Sequence, residues 1–273
     1  MSLFERIGMD VGRDLPAEDA IRWAAANDVK YLDVQTDLAP NALAEMPARA
    51  AAIRELCQET GVELGLHTLS GVNIAEVSPH VSDAADAYLR SYIDLAALTG
   101  AGWVIVHAGY HFTSDYERRR QAGLERLQRA VDHAEAQGIT LLLENTNREP
   151  DHAEVHYLCC TLGEIRWYFE RLTSPNLQMA FTANHAHLYP EDVAGFVDAI
   201  DFGRCREVRL ADCRGEVEEH LQPGEGTMDF ADMFRRIEAA GFTGHYMNQF
   251  GTLDDMLVGR RYLVEKARTV GLA

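Results

Sequence analysis

Several ingredients are scarce in this chain, and each scarcity removes a class of function. No apolar run approaches the roughly 20 residues that span a bilayer. Charge enters at once within Met1–Arg6, so neither a membrane span nor an export signal is expected. The expected compartment is the cytoplasm, with no membrane partner. Positive charge is short as well: Lys and Arg total 25 against 43 Asp and Glu, a net charge of −18. With no basic stripe, that balance argues against a surface that grips nucleic acid through its phosphates. The five cysteines are an odd number without framework spacing, and adjacent Cys159-Cys160 is no Cys-x-x-Cys pair. Free thiols are expected, rather than a disulfide framework, a zinc knuckle or a redox motif. A glycine-rich phosphate turn is missing too, since Asp10-Val11-Gly12-Arg13 matches the dinucleotide fingerprint poorly.

What is present is a repeated design. The apolar run Ile139-Thr140-Leu141-Leu142-Leu143 stops at Glu144, followed by Asn145, Thr146 and Asn147. Other short β-rich runs likewise end on polar or ionisable groups: His67, His107, Arg209 with Asp212, and Asn248-Gln249. A core does not leave such groups unpartnered at a strand end. Their recurrence at the ends of parallel strands is how an α/β barrel builds a site. Eight strands are expected near Ile7–Asp10, Tyr31–Gln35, Val62–His67, Trp103–His107, Thr140–Asn145, Gln178–Thr182, Glu207–Ala211 and Tyr246–Gln249. Between them read amphipathic helices at Pro16–Asn27, Ala42–Thr60, Ser82–Thr99, Tyr116–Gln137, Leu162–Leu172, Pro190–Ala199, Phe230–Ala240 and Leu253–Val270. Gly61, Gly100, Gly138 and Gly241 stand where four of them should stop. No linker or composition shift divides the chain. Residues 1–273 therefore read as one α/β domain, a (β/α)8 TIM barrel, with a doubly wound open sheet as the rival fold.

Certain motifs carry a family resemblance. Leu143-Glu144-Asn145, Thr182-x-x-His185, Arg209-x-x-Asp212, the stretch His220 to Gly226 (His-Leu-Gln-Pro-Gly-Glu-Gly) and Gly241-Phe-Thr-Gly244 resemble the xylose-isomerase-like barrel superfamily. That group includes sugar and sugar-phosphate isomerases and epimerases, inosose dehydratases and an apurinic-site endonuclease. The resemblance implies one divalent metal, held by a Glu, an Asp, a His and a second Glu. Those positions map onto Glu144, Thr182, Arg209 and Gln249. Only the first is retained. A hydroxyl, a guanidinium and a neutral amide replace the others, so the usual metal site reads as absent and no cofactor is assigned.

The expected reaction is isomerisation or epimerisation of a small sugar-like polyhydroxy carbonyl compound, with dehydration as a chemical variant. Glu144 is the expected acid/base, His185 the second proton-transfer group, and Arg209 the cation that stabilises an oxyanion in place of the metal. The alternative for Arg209 is a structural ion pair with Glu144 or Asp212. His187, two residues beyond His185, competes with it for the second role. His67, His107, Asp212, His220 and Gln249 are expected to position substrate hydroxyls. Asp10, Asp33 and Gln35 end the first two strands and read equally as substrate contacts or as structure. Arg118-Arg119-Arg120 reads as a solvated run or a phosphate catch. Two further readings differ in class. One is a sugar-binding barrel that has lost catalysis. The other is a zinc-dependent, endonuclease-like hydrolase using His67, His107 and Glu144, with zinc or manganese bound at that displaced position. Dimers are usual for the family, so a homodimer is the expected assembly.

Overall fold

Each barrel strand splits its side chains between two cores, because successive residues of a strand face opposite ways. Leu32, Val34, Leu64, Leu66, Val104, Val106, Leu141 and Leu143 point outward into the main hydrophobic core under the helices. Their alternating neighbours Trp103, Ile105, Leu142, Ala180 and Met247, with Tyr31 packed against them, fill the barrel interior. A sheet buried on both faces in this way needs no edge, and it closes.

The computed structural model describes residues 2–272. The barrel strands are Ile7–Asp10, Tyr31–Gln35, Glu63–His67, Trp103–Val106, Thr140–Glu144, Leu177–Thr182, Cys205–Leu210 and His245–Asn248, taken here as the first to the eighth. All are parallel and pair in chain order, and the first returns to the eighth with Ile7 opposite Tyr246. Every expected strand and helix is found. The largest displacement is in the second long helix, which starts at Met46 rather than Ala42. Gly61, Gly100 and Gly138 cap their helices with φ of 73°, 76° and 70°, a left-handed conformation that glycine adopts without a Cβ penalty.

Four features were not expected: short helices at Leu3–Arg6 and Ala183–Ala186, a 3-10 turn at Phe202–Arg204, and an antiparallel ribbon of Tyr110–Phe112 with Val155–Tyr157. The ribbon joins the loops after the fourth and fifth strands, over the C-terminal mouth. All five cysteines are free. Among the described residues no helix is long and apolar enough to cross a membrane.

Gly65 shows how tightly the interior is filled. A Cβ there would lie 2.1 Å from Trp103 Nε1 and 2.3 Å from Asp33 Oδ1, where the indole donates to the carboxylate at 2.9 Å. Gly65→Ala should therefore lower stability by about 2–4 kcal/mol, combining overpacking with a strained buried hydrogen bond. Urea unfolding would check this as a reduced midpoint at unchanged slope.

Candidate active site

Inward-facing positions of the upper barrel are charged rather than apolar. Arg209, on the seventh strand, has no solvent exposure. Its Nη1 donates to Asp33 at 2.8 Å and Glu207 at 2.5 Å, its Nε donates to Gln249 Oε1 at 2.9 Å, and its Nη2 donates to Asp10. Below it, His245 contacts Glu207 at 2.9 Å and stacks on Tyr31 with ring centroids 4.3 Å apart. Burial pushes the His245 pKa down to about 3, so it meets Glu207 as a neutral donor. Burial and the Glu207 charge push Asp33 well above the carboxylate range, and burial raises Glu207 against the pull of Arg209. Asp10 goes the other way: burial raises it, but Arg209 and His67 outweigh burial and hold it far below its ordinary value.

Glu144 rises from this floor at the end of the fifth strand, 3% exposed. Its two oxygens have separate surroundings. Oε1 accepts from the Thr182 hydroxyl at 2.6 Å and lies 3.7 Å from His185 Nδ1 and 3.9 Å from Arg209 Nε. Oε2 lies 3.2 Å from His107 Nε2 and 3.5 Å from His67 Nε2, yet no described residue is aligned to donate to it. Burial alone would raise Glu144. The two imidazoles and Arg209 together hold it well below the usual carboxylate range, so it is ionised at neutral pH. Both imidazoles are held from behind: His67 Nδ1 is 3.0 Å from Asp10 Oδ2, and His107 Nδ1 is 3.2 Å from Thr68 Oγ1. His67 loses basicity to burial and to the Arg209 charge, but its contacts with Asp10 and Glu144 win and raise it to about 9. His107 is lowered, because burial outweighs Glu144.

A second group stands at the rim. His185 Nδ1 donates to the Asn145 carbonyl at 2.8 Å, and its Nε2 lies 3.2 Å from Glu218 Oε1. His220 Nε2 meets the same oxygen at 3.1 Å. These contacts pull Glu218 down to about 2, and Glu218 raises His220 against the effect of burial. His67, His107 and Glu144 form one set of atoms close enough to hold a metal ion, and His185, Glu218 and His220 form another. Above them opens a cavity of about 410 Å³, lined by both sets together with Gln249, Tyr157, Phe250 and others.

Comparisons with known proteins bear on both fold and site. Residues 21–250 match the model of the xylose isomerase-like TIM barrel family. The chain belongs to that family. A fructoselysine 3-epimerase from Shigella flexneri is 26% identical over 172 residues, a match that spans 59% of each chain. A protein named "probable endonuclease 4" from Methanoculleus marisnigri is 24% identical over 70% of this chain and 71% of its own. Among solved structures, a D-tagatose 3-epimerase-like protein superposes with a TM-score of 0.84 at 20% identity, covering 97% of this chain and 98% of its own. D-psicose 3-epimerase from Clostridium cellulolyticum H10 gives 0.77 at 12% identity, covering 98% and 100%. At these identities the structural likeness speaks for the fold.

For a member of the xylose isomerase-like family, two expected site residues are placed differently from their expected roles. Arg209 lies beneath the cavity and does not line it, because Asp10, Asp33 and Glu207 draw its guanidinium into the barrel. An oxyanion in the cavity would have to reach it past Glu144 and Asp10. The ion pairs are also wider than the expected alternative with Glu144 or Asp212. Asp212 is 1% exposed and accepts four backbone N–H groups, from Cys213 (2.9 Å), Gly224 (2.8 Å), Gly226 (3.0 Å) and Met228 (3.1 Å). It shapes the loop that carries Glu218 and His220 and has no capacity left for substrate. His67, His107, Glu144, His185, His220 and Gln249 all face the cavity. His187 does not: it bridges Asp192 (2.6 Å) and Thr227 (2.8 Å) outside it. Glu218, which the Glu218-x-His220 pattern marks as resembling a ligand pair of the endonuclease branch, and Tyr157, which was not anticipated, also line the cavity. Tyr157 had no signal, since its ribbon has no periodicity to read.

Two outcomes follow. Arg209→Met strands several buried carboxylates and should cost about 3–5 kcal/mol at neutral pH. In the parent protein Asp10 contributes stability above its unfolded pKa, and that contribution is lost as pH falls through its depressed folded value. The deficit of Arg209→Met should therefore shrink toward acid pH, as urea unfolding at several pH values would show. Glu218→Gln should lower the titration midpoint of His220, visible in its imidazole NMR signals, because the paired carboxylate is what raises it.

Proposed function

We propose that this protein is an isomerase or epimerase that moves the proton α to the carbonyl of a small polyhydroxy carbonyl compound. The observation that carries the reading is Glu144: an ionised, buried carboxylate at the floor of a polar cavity, with imidazoles on both of its oxygens. Glu144 takes the proton from the carbon next to the carbonyl. Arg209, 3.9 Å away, acts as a fixed charge that keeps Glu144 ionised and orients Gln249. With Oε1 of Gln249 held by Arg209, its Nε2 has no partner among the described residues and is free to donate to a substrate oxygen. His185 handles the second proton and passes it outward along Glu218 and His220, whose contacts of 3.2 and 3.1 Å form a path toward solvent.

The His67–His107–Glu144 set fits a divalent metal. Each imidazole is anchored through Nδ1 and turns Nε2 toward the orphaned Glu144 Oε2, the outer-partner arrangement that metal-bound histidines use. When bound there, zinc or manganese would supply a Lewis acid for the carbonyl. The chain's similarity to a fructoselysine 3-epimerase supports the isomerase reading over hydrolysis, as does the strongly negative charge of the chain.

The test is solvent deuterium uptake into D-fructose or D-tagatose, with and without chelator, alongside elemental analysis. Uptake is expected, and Glu144→Gln should reduce it by about 10²–10⁴-fold. Stoichiometric zinc or manganese, lost together with activity in chelator, is the expected metal result. Tight sugar binding without any uptake would instead identify a barrel that only binds.

A further inference from the structure

We propose that this protein returns the proton to the same face of the substrate from which it was taken, so that it moves a carbonyl between neighbouring carbons rather than inverting a stereocentre; this rests on the isomerase reading above. Inverting a C–H centre needs a proton acceptor on one face and a proton donor on the other, each within hydrogen-bond reach. The cavity does not distribute its acid–base groups that way. Glu144 of the fifth strand gathers His67 and His107, from the third and fourth strands, at Oε2, and His185, just after the sixth, at Oε1. Tyr157 belongs to the ribbon built by the loops after the fourth and fifth strands, so it stands on the same side.

The facing wall comes from the first, second and eighth strands, because in a closed eight-stranded barrel the fifth strand lies opposite the first. It presents Gln35 and Gln249, whose neutral amides neither take nor give up a proton, and the apolar Val11, Phe250 and Met256. The titratable groups that reach this side are engaged or lie at the entrance. Asp10 accepts from the Gly12 N–H at 2.8 Å through Oδ1 and from Arg209 through Oδ2, which His67 also meets at 3.0 Å. His220 has Nδ1 3.1 Å from the Gln249 carbonyl oxygen and Nε2 3.1 Å from Glu218. Asp14 is exposed at the rim, whereas Glu144 is 3% exposed at the floor. The one inward-facing group on this wall without a partner among the described residues is the Gln249 amide nitrogen, which holds an oxygen but moves no proton.

The step balances within the substrate. Glu144 takes the proton from the carbon beside the carbonyl, and the C–H electron pair becomes the C=C bond of an enediol. The neighbouring hydroxyl gives up a proton through His185, and the former carbonyl oxygen gains one. Glu144 then returns its proton, from its own side, to the former carbonyl carbon, and the other oxygen becomes the new carbonyl.

Incubation of the purified full chain with D-fructose or D-tagatose in deuterium oxide tests the inference, with NMR locating the label and chromatography identifying the products. Deuterium should enter with retained configuration, at C1 replacing one of the two hydrogens, and a single aldose should form. The 3-epimer should form slower than uptake by roughly 10²-fold or more, the factor that a positioned acid ordinarily contributes. A 3-epimer appearing as fast as uptake, or exchange of both C1 hydrogens, overturns the inference while leaving the isomerase reading intact. Gln249→Glu places a carboxylate on the facing wall and should bring in 3-epimer formation. Uptake that persists in Gln249→Glu without any 3-epimer overturns the role given to that wall. No uptake into either ketose removes the isomerase reading and this inference with it.

Discussion

A guanidinium with no access to water organises the upper half of this barrel. Burying Arg209 alone would be prohibitive, so Asp10, Asp33 and Glu207 must converge on it, and they come from three different strands. Once they converge, everything above them is set. Asp10 turns His67, Gln249 is held through its carbonyl oxygen, and Glu144 is left ionised between the imidazoles and the cation. The network is thus a scaffold for orientation as much as a source of stability.

That scaffold explains why losing the family's usual ligand positions need not empty the site of chemistry. Thr182, Arg209 and Gln249 stand where the family resemblance implies an Asp, a His and a Glu. Their side chains meet the Oε1 side of Glu144, directly or through one another: Thr182 donates to it, and Arg209 approaches it while holding Gln249. The opposite oxygen faces His67 and His107. One carboxylate therefore divides a permanent protein cation on one side from a place suited to an exchangeable one on the other.

The barrel itself was legible because its signals are local. Short, nearly continuous apolar runs ended by reactive groups mark the strands, and glycines mark helix stops, three of them in left-handed conformation. Helix starts were less legible, since Ala42 to Glu45 has suitable composition yet only Met46 onward is helical. The Tyr110–Phe112 and Val155–Tyr157 ribbon escaped because its segments are three residues each and gain stability only from pairing across some forty residues of chain.

The sequence by itself determined which reactive groups reach the mouth. Glu144 and His67 end their strands and His107 directly follows one, so side-chain alternation sends them inward, whereas His185 is turned in by the short helix Ala183–Ala186. Only the tertiary structure decided what Arg209 and Asp212 do. Both were placed correctly on the chain, but their partners lie far away in sequence or in a loop without periodicity. Arg209 is drawn down by Asp10 and Asp33, 199 and 176 residues distant, and Asp212 is consumed by backbone N–H groups of its own loop. A charged side chain goes where its counter-charges and donors are, and that geometry exists only after the barrel has closed.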